Sequence, residues 1–205
     1  AEPPRLDVAV IGAGWAGLGT SWALSRAGLR HLVYERPRIC ETWRSQRWAS
    51  FLMNTPNVMT VLPGDRYHGD APEDYMTGAE FVAMAEDYAR RHALPVLEDT
   101  AVTSVRPAGG GFEVRTPDGI AIAGSVVVAS GNLNVARRPR LAAGLPGGVH
   151  QIDGSDYRDA AALPPGAVLV VGCGNSAGQI AEDLARSGRS VFLSTGRNGR
   201  VPRRY

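Results

Sequence analysis

One short pattern occurs twice in this chain, and its spacing limits the fold more than any other feature. The first copy is Val10-Ile11-Gly12-Ala13-Gly14-Trp15-Ala16-Gly17, and the second, 160 positions later, is Val170-Val171-Gly172-Cys173-Gly174-Asn175-Ser176-Ala177. Each copy follows an apolar run and precedes a helical pattern, a further glycine and another apolar run. The repeat therefore predicts two strand–turn–helix–strand units of an α/β protein with parallel strands.

The residues of the first copy fit a cradle for a dinucleotide. Gly12 permits a tight turn, Gly14 lets the backbone approach a pyrophosphate, and Gly17 lets the helix lie close to the strand. The N–H groups at the start of the helix attract phosphate. Glu35 follows the second strand, where an acid binds ribose hydroxyls. The alternative is an ordinary α/β turn that binds no phosphate.

The second copy lacks the acid. Its second strand ends at Thr195, and Arg197 and Arg200 follow. A carboxylate would repel a 2′-phosphate, whereas an arginine beside a hydroxyl would bind one, so this half predicts NADPH rather than NADH. A solvated basic loop is the alternative for the arginines. Ser176 and Gln179 are expected either to touch phosphate or to face solvent.

Composition excludes several classes of protein. The 205 residues are 44% hydrophobic and 20% charged with a net charge of +2, and no run is as apolar and long as a membrane span. No signal peptide precedes the first strand, and no basic patch with interleaved aromatics indicates nucleic acid. Cys40 and Cys173 form no Cys-x-x-Cys pair, which predicts a reduced cytoplasmic setting and argues against a thioredoxin-reductase-type dithiol. The four histidines lack metal-ligand spacing, so no metal site is expected.

The domain organisation follows from the repeat and the loops. We expect a first domain over residues 1–150, a linker over 151–166 and the start of a second domain over 167–205. Because the second domain then has only two strands and one helix, its sheet is expected to be incomplete.

Within the first domain, residues 36–75 predict a long irregular segment and 77–92 a helix. Three short strands over about 100–124 predict a small antiparallel β insertion. A Val-rich strand over 125–129 is expected to return separately to the buried sheet.

Several spaced motifs resemble the N-terminal half of the class B flavin-dependent monooxygenases, over residues 7–205. Besides the glycine turns they are Thr42-Trp43-Arg44, Asn54-Thr55-Pro56-Asn57, Val126-Val127-Val128-Ala129-Ser130-Gly131, Gly148-Val149-His150-Gln151 with Ser155-Asp156-Tyr157, and Val201-Pro202-Arg203-Arg204-Tyr205. The resemblance implies a Rossmann-like flavoprotein with two dinucleotide-binding domains, with FAD on the first turn and NADPH on the second. Many relatives have a linker histidine where this chain has Asp153, which weakens a specific assignment to Baeyer–Villiger chemistry and leaves it open beside heteroatom oxidation.

The resemblance also implies site residues. Asn54 is the candidate catalytic residue at the flavin edge, and a turn residue before Pro56 is the alternative. Trp43 either packs against the flavin or belongs to the core, and Arg44 and Arg47 either reach phosphate or are solvated. Candidate cofactor contacts in the first domain are Gly12, Gly14, Trp15, Ala16, Gly17, Glu35, Arg36, Thr42, Trp43, Thr55, Val102, Ala129, Ser130 and Gly131. Those in the second domain are Gly172, Gly174, Asn175, Ser176, Ala177, Thr195 and Arg197.

The function that these features predict is an NADPH-dependent flavin monooxygenase. Such an enzyme reduces FAD with NADPH and inserts one oxygen atom of O₂ into a small organic substrate. A flavin-dependent NADPH oxidase or reductase without oxygen insertion is the first alternative, and a non-catalytic FAD-binding fragment is the second. The expected partners are a small molecule and O₂, with no nucleic acid and no membrane, and self-association into a homo-oligomer is left open.

Overall fold

A computed structural model describes residues 2–132 and 135–196, which fall into two compact units. The first unit consists of the residues up to Ser45 together with Thr55–Val135. The second consists of Gln46–Asn54 together with the residues from Ala136 onward. The contacts thus divide the chain after residue 135, not after residue 150, and they assign a short piece of the expected first domain to the second unit.

The first unit contains one mixed sheet with helices packed on it. Its elements are β1 (Arg5–Ile11), α1 (Trp15–Arg26), β2 (His31–Tyr34), α2 (Glu41–Ser45), a 3₁₀ turn (Asn57–Met59), α3 (Gly78–Arg91), β3 (Val96–Leu97), β4 (Ser104–Ala108), β5 (Gly111–Thr116) and β6 (Gly119–Val128). The sheet order is β3-β2-β1-β6-β5-β4. β1 pairs in parallel with β2 and β6, and β2 with β3, whereas β4, β5 and β6 pair antiparallel.

The predicted antiparallel β insertion is found, but the Val-rich strand that was expected to return separately over 125–129 is continuous with the last strand of the insertion. Residues 119–128 form one continuous strand, whose first half pairs with β5 while residues 122–128 pair with β1. The antiparallel strands therefore extend the main sheet. Ala121 and Ala123 of β6 are buried, in the sheet that also contains β1.

The core of the first unit lies between this sheet and its helices. Val10 and Leu18 are fully buried on β1 and α1, as are Phe81 and Tyr88 on α3. The predicted helix over 77–92 is found as α3, with Thr77 as its N-cap. The parallel pairing of β1 with β2 and with β6 places the carboxyl ends of these three strands at one edge of the sheet.

The second unit shows the small parallel sheet expected from the repeat. Its elements are a 3₁₀ helix (Arg140–Gly144), β7 (Val168–Val171), α4 (Asn175–Arg186) and β8 (Val191–Ser194). Ile180 and Leu184 bury one face of α4. In the described residues the sheet has two strands, and Leu169, Val171 and Phe192 remain 60%, 57% and 61% exposed. Parallel sheets normally bury both faces, so this unit is incomplete as a layer structure within the described residues.

Two short features of the irregular segment 36–75 were not predicted. α2 forms from residues that show no helical periodicity, and Gln46–Asn54 packs with the second unit. Trp48 explains the second feature, because it is 4% exposed and its ring contacts Phe51 and Tyr157, with centroids 5.2 and 6.4 Å away. No helix within 2–132 or 135–196 has the length and apolar character to cross a bilayer.

Candidate functional site

The first glycine turn is closed tightly by backbone contacts. Gly12 has a φ of +104°, and a Cβ there would lie 2.6 Å from the carbonyl oxygen of Ala129. A Cβ at Gly17 would lie 1.8 Å from the carbonyl oxygen of Gly12. The Gly12 N–H donates to the Tyr34 carbonyl at 2.8 Å. These contacts bring β1, β2, β6 and the start of α1 together around the turn.

Gly14 differs from Gly12 and Gly17 because the space that a Cβ would occupy there is open. A Cβ at Gly14 would meet only the ring of Trp43, at an ordinary contact distance of 3.7 Å. Gly14 is also the N-cap of α1, with no side-chain cap and no acidic residue in the first turn. The first N–H groups of α1 and its positive dipole end therefore have no anionic side chain from that turn, which suits a pyrophosphate.

The carboxylate of Glu35 is oriented by backbone N–H groups at this turn. Its Oε2 accepts from the Ala13 N–H at 2.6 Å and its Oε1 from the Arg36 N–H at 2.8 Å. An ionised carboxylate has about four acceptor positions, so two or so remain for hydroxyl groups. The group is half-buried, and its fixed orientation suits a ribose diol. The residues present therefore fit the adenine-nucleotide part of FAD. The Arg36 side chain is exposed.

An aromatic cluster lies beside the turn. Trp15 stacks on Phe81 with ring centroids 5.6 Å apart, and Trp43 tilts against Phe81 at 4.6 Å. Both tryptophans are half-buried, as is Thr42 before Trp43, whereas Ala16 is exposed. Trp43 thus packs on the core beside Gly14, and its contact with a flavin remains a prediction.

Arg44 and Arg47 contact protein groups. Arg44 forms an ion pair with Glu86 and donates its Nε to the Ile39 carbonyl at 3.2 Å. Arg47 lies over the ring of Phe51, 5.3 Å from its centroid. Neither arginine is simply solvated, as one of the alternatives had it.

The carboxyl end of β6 borders the turn on its other side. The Ala129 N–H donates to the Ile11 carbonyl at 2.8 Å, and Ser130 and Gly131 that follow are exposed. Ligands of open α/β sheets bind at this edge, outside the carboxyl ends of the strands. Val102 packs instead against the cluster that contains Tyr34 and Val114, so a packing role accounts for its partial burial.

Cys40 is a structural residue of the first turn. It is 2% exposed, and its Sγ lies 3.8 Å from the Ala13 carbonyl oxygen. Burial raises the pKa of the Cys40 thiol to about 12. The thiolate is therefore scarce at neutral pH, and Cys40 is unsuited to nucleophilic chemistry.

The second glycine turn repeats the backbone geometry of the first. Gly172 has a φ of +114°, and its N–H donates to the Ser194 carbonyl at 2.9 Å, in the same relation as Gly12 to Tyr34. Gly174 is the N-cap of α4, again without a side-chain cap or an acidic first turn. Among the residues that the structure describes, none places an atom within 4 Å of where a Cβ at Gly172 or Gly174 would lie, apart from each glycine's own chain neighbours and helix backbone. The second turn therefore also fits a pyrophosphate at a helix N-terminus.

The tips of the two repeats differ as the sequence predicts. Thr195 follows β8 at the position of Glu35, and it is exposed. Asn175 and Ser176 are exposed at the start of α4, and Ala177 stands where the first repeat has Gly17. Arg197 lies outside the described residues, as do Arg200 and the motif at 201–205.

Asn54 belongs to the second unit. Its side chain is exposed, and its Oδ1 accepts from Gln179 Nε2 at 3.3 Å. Gln179 also bonds both backbone groups of Leu52, so its side-chain amide is engaged by protein groups although the residue is only half-buried. Sequence reasoning missed this contact because residues 125 positions apart show no shared pattern.

Two further residues of the Asn54–Asn57 motif lie in the first unit. The Thr55 and Thr60 hydroxyls are 2.8 Å apart, and both are therefore engaged locally. Asn57 is 8% exposed and donates from Nδ2 to the Ala71 carbonyl at 2.9 Å. Its Oδ1 is buried and has no partner among the described residues, so an acceptor is left available there.

The linker position of Asp153 holds an ion pair. Arg138 donates from Nε and from a terminal nitrogen to the two oxygens of Asp153, at 2.8 and 3.0 Å. This bidentate contact holds the pKa of the Asp153 carboxyl below its ordinary value. Asp153 of the expected linker is therefore tied to Arg138, which precedes that linker in sequence.

Two α/β units, each with a glycine turn between a parallel strand and a helix, define a Rossmann-like protein of the flavoprotein type with two dinucleotide-binding units. Residues 9–204 match the family model described as pyridine nucleotide-disulphide oxidoreductase, and the chain belongs to this family of enzymes.

Individual relatives agree with this assignment. An uncharacterized CzcO-like oxidoreductase of Geobacillus kaustophilus is 38% identical over 192 residues, which are 93% of this chain and 54% of that protein. The probable indole-3-pyruvate monooxygenase YUCCA1 of Arabidopsis thaliana is 30% identical over 193 residues, 90% of this chain and 45% of that protein. A solved flavin-containing monooxygenase from Stenotrophomonas maltophilia matches with a TM-score of 0.84 and 27% identity, over 95% of this chain and 59% of that one. The chain thus spans about half the length of these relatives.

Proposed function

We propose that this chain is the cofactor-binding part of an NADPH-dependent flavin monooxygenase, with FAD on the first glycine turn and NADPH on the second. The observation that carries the proposal is the repeated turn: Gly12 and Gly172 share their backbone geometry, while the tip residues Glu35 and Thr195 differ. Two turns with the same backbone geometry, one with a carboxylate after its second strand and the other with a hydroxyl, suit two different dinucleotides. The monooxygenases among the relatives support the reaction class.

The chain's own residues account for binding and orientation. The N–H groups after Gly14 and Gly174 receive the two pyrophosphates, and Glu35 receives the ribose hydroxyls of FAD. The hydroxyl of Thr195 leaves room for the 2′-phosphate of NADPH, because no carboxylate stands there. When bound, the two cofactors supply hydride transfer and the reduction of O₂.

Asn54 is our candidate for the polar group at the reactive edge of the flavin. Its amide can both donate and accept, so it can orient an oxygen-bearing group without supplying a proton at neutral pH. Cys40 is buried, so its thiol is not a candidate nucleophile at the first turn. We further propose a small organic substrate, O₂ as co-substrate, and a reducing cytoplasmic setting.

The experiment is to purify the protein, measure bound flavin by its visible absorbance, and add NADPH or NADH without oxygen. We expect one FAD per chain and faster bleaching of the flavin by NADPH than by NADH. A chain that neither retains FAD nor binds it when it is added would overturn the proposal.

The residue at the tip of β8 provides the sharper test of cofactor choice. Thr195→Glu places a carboxylate where the 2′-phosphate lies, so we expect NADPH to bind at least about tenfold more weakly, or about 1.4 kcal/mol, from repulsion between like charges. NADH binding should be kept or improved, as ribose hydroxyls bind acids. Thr103→Glu, at an exposed threonine of the first unit, is the matched control and should leave both affinities unchanged. An unchanged NADPH affinity in Thr195→Glu would show that the donor binds elsewhere.

The family description, which names disulphide oxidoreductases, favours a second candidate, a flavin-dependent NADPH oxidase or reductase without oxygen insertion. The two functions differ in the fate of O₂. Hydrogen peroxide released in a one-to-one ratio to NADPH consumed, with every candidate substrate, would favour the second function.

A further inference from the structure

The side-chain amide of Gln179 holds the backbone of a segment distant in sequence. The Leu52 N–H donates to Gln179 Oε1 at 3.1 Å, and Gln179 Nε2 donates to the Leu52 carbonyl at 2.9 Å. The same Nε2 also donates to Asn54 Oδ1 at 3.3 Å. One glutamine thus satisfies both backbone groups of Leu52, as a neighbouring β-strand would, and contacts the side chain two residues later.

A second contact holds the same segment one helical turn further along α4. Ser50 Oγ donates to Asp183 Oδ1 at 2.6 Å, and the Tyr157 hydroxyl donates to Asp183 Oδ2. Burial, and next the bond to Asp183, raises the pKa of Tyr157, so the hydroxyl keeps its proton at neutral pH. Gln179 and Asp183 are four residues apart and therefore lie on one face of α4.

The order of these contacts shows which way residues 50–54 run along α4. Ser50 lies at Asp183 and Leu52 lies at Gln179, so the segment runs antiparallel to α4, toward its first residue. Gln179 is one turn, about 5.4 Å of helix rise, from Asn175, which follows the second glycine turn. Asn54 is therefore held near the end of α4 that carries this turn.

We propose that Gln179 is a positioning residue: it fixes the backbone of residues 52–54, and with it the amide of Asn54, to the helix of the second nucleotide cradle. Binding of the nicotinamide cofactor at this glycine turn should then stabilise the segment Gln46–Asn54 as well as the start of α4. The part of the inference that concerns the cofactor rests on the proposed function. The part that concerns Asn54 rests on the contacts alone.

The contacts are tested by hydrogen exchange and side-chain NMR on the whole chain, in Gln179→Leu, Gln179→Glu and the control Glu182→Gln. Glu182 is an exposed residue of α4 that pairs with Arg186. Loss of a hydrogen bond in Gln179→Leu should speed exchange of the Leu52 amide about 2–10-fold. The side-chain amide resonances of Asn54 should shift in the same variant.

The conservative variant separates positioning from general destabilisation. In Gln179→Glu one carboxylate oxygen still accepts from the Leu52 N–H, but the other cannot donate to the Leu52 carbonyl as Nε2 does. Part of the Leu52 N–H protection should therefore return relative to Gln179→Leu, and Glu182→Gln should match the wild type. Leu52 exchange that is unchanged in Gln179→Leu, or equally raised in Glu182→Gln, would overturn the proposal.

Addition of NADP⁺ tests the response of the segment to the cofactor. We expect NADP⁺ to slow exchange over residues 50–54 at least twofold in the wild type, and the effect to be lost in Gln179→Leu. Slowing near Gly174 without slowing over 50–54 would contradict the inference. If NADP⁺ slows neither region, the proposed function fails, and the Leu52 comparison still decides the role of Gln179.

Discussion

At the scale of single residues, the two glycine turns differ in the room beside the helix. A Cβ at Gly17 would lie 1.8 Å from a backbone oxygen, whereas the equivalent Ala177 carries a Cβ that the second turn accommodates. The two turns thus share a backbone geometry, but the helix lies against the turn closely at Gly17 and leaves room for a methyl group at Ala177. The third glycine of the motif is required in the first turn and dispensable in the second, which explains why only the first keeps it.

This contrast predicts opposite effects for two alanine substitutions. Gly17→Ala should lower the free energy of unfolding by about 1–3 kcal/mol, because the backbone at Gly12 must move. Gly178→Ala, at a helical position with no atom within 4 Å of its Cβ, should raise it by up to about 1 kcal/mol. Urea unfolding followed by circular dichroism measures both. If Gly17→Ala is as stable as the wild type, the close approach of α1 to β1 is not as described.

At the scale of elements, α3 shows how the sequence defines a helix start. The Thr77 hydroxyl accepts from the Glu80 N–H at 3.2 Å, and Glu80 Oε2 accepts from the Thr77 N–H at 2.8 Å. Thr77→Ala removes this cap and should cost about 0.5–2 kcal/mol of stability, since one N–H of the first turn loses its partner. Thermal unfolding of the wild type and variant at neutral pH checks the value.

The carboxylate of the same cap makes its contribution dependent on pH. Hydrogen bonds from the Thr77 N–H and hydroxyl lower the pKa of Glu80 below its ordinary value of 4.5. The folded state therefore binds the Glu80 proton less readily than the unfolded chain, so the stabilisation is present above pH 4.5 and is lost as the pH falls through the lower, folded pKa. Glu80→Gln should accordingly destabilise the protein at neutral pH and converge with the wild type in acid. Glu73→Gln, at an exposed loop carboxylate, should show no such difference at either pH.

Elements with strong local signals could be predicted from the sequence, and those that depend on distant partners could not. The glycine turns place α1 and α4, and the Thr77–Glu80 pair places α3, because each signal lies within a few residues. β6 was divided into two strands because its pairing changes partner along its length, which local alternation does not show. Among the site residues, the geometry of Gly12 followed from its motif, but the contact of Gln179 with Leu52 did not, since no periodic pattern joins residues so far apart.

At the scale of the whole molecule, the two units are not consecutive stretches of the chain. The chain leaves the first unit after Ser45, packs Trp48 and Phe51 with the second unit, and returns at Thr55. A burial as deep as that of Trp48, 4% exposed, makes this short segment part of the second core. The stability of the second unit therefore depends on residues that precede most of the first unit in sequence.

A matched pair of core substitutions tests this division. Trp48→Ala should lower the free energy of opening around it by about 3–5 kcal/mol, and so raise exchange of the buried α4 amides near Leu184 by two orders of magnitude or more. The amides of α3 should change little. Phe81→Ala removes a fully buried ring of the first unit. It should speed exchange of the α3 amides and change that of the α4 amides little. Trp48→Phe should be milder, because a smaller aromatic ring is kept and the buried indole N–H that is lost has no partner among the described residues. Should Trp48→Ala speed exchange in α3 as much as in α4, the two units would open as one, and the segment Gln46–Asn54 could not serve the second unit alone.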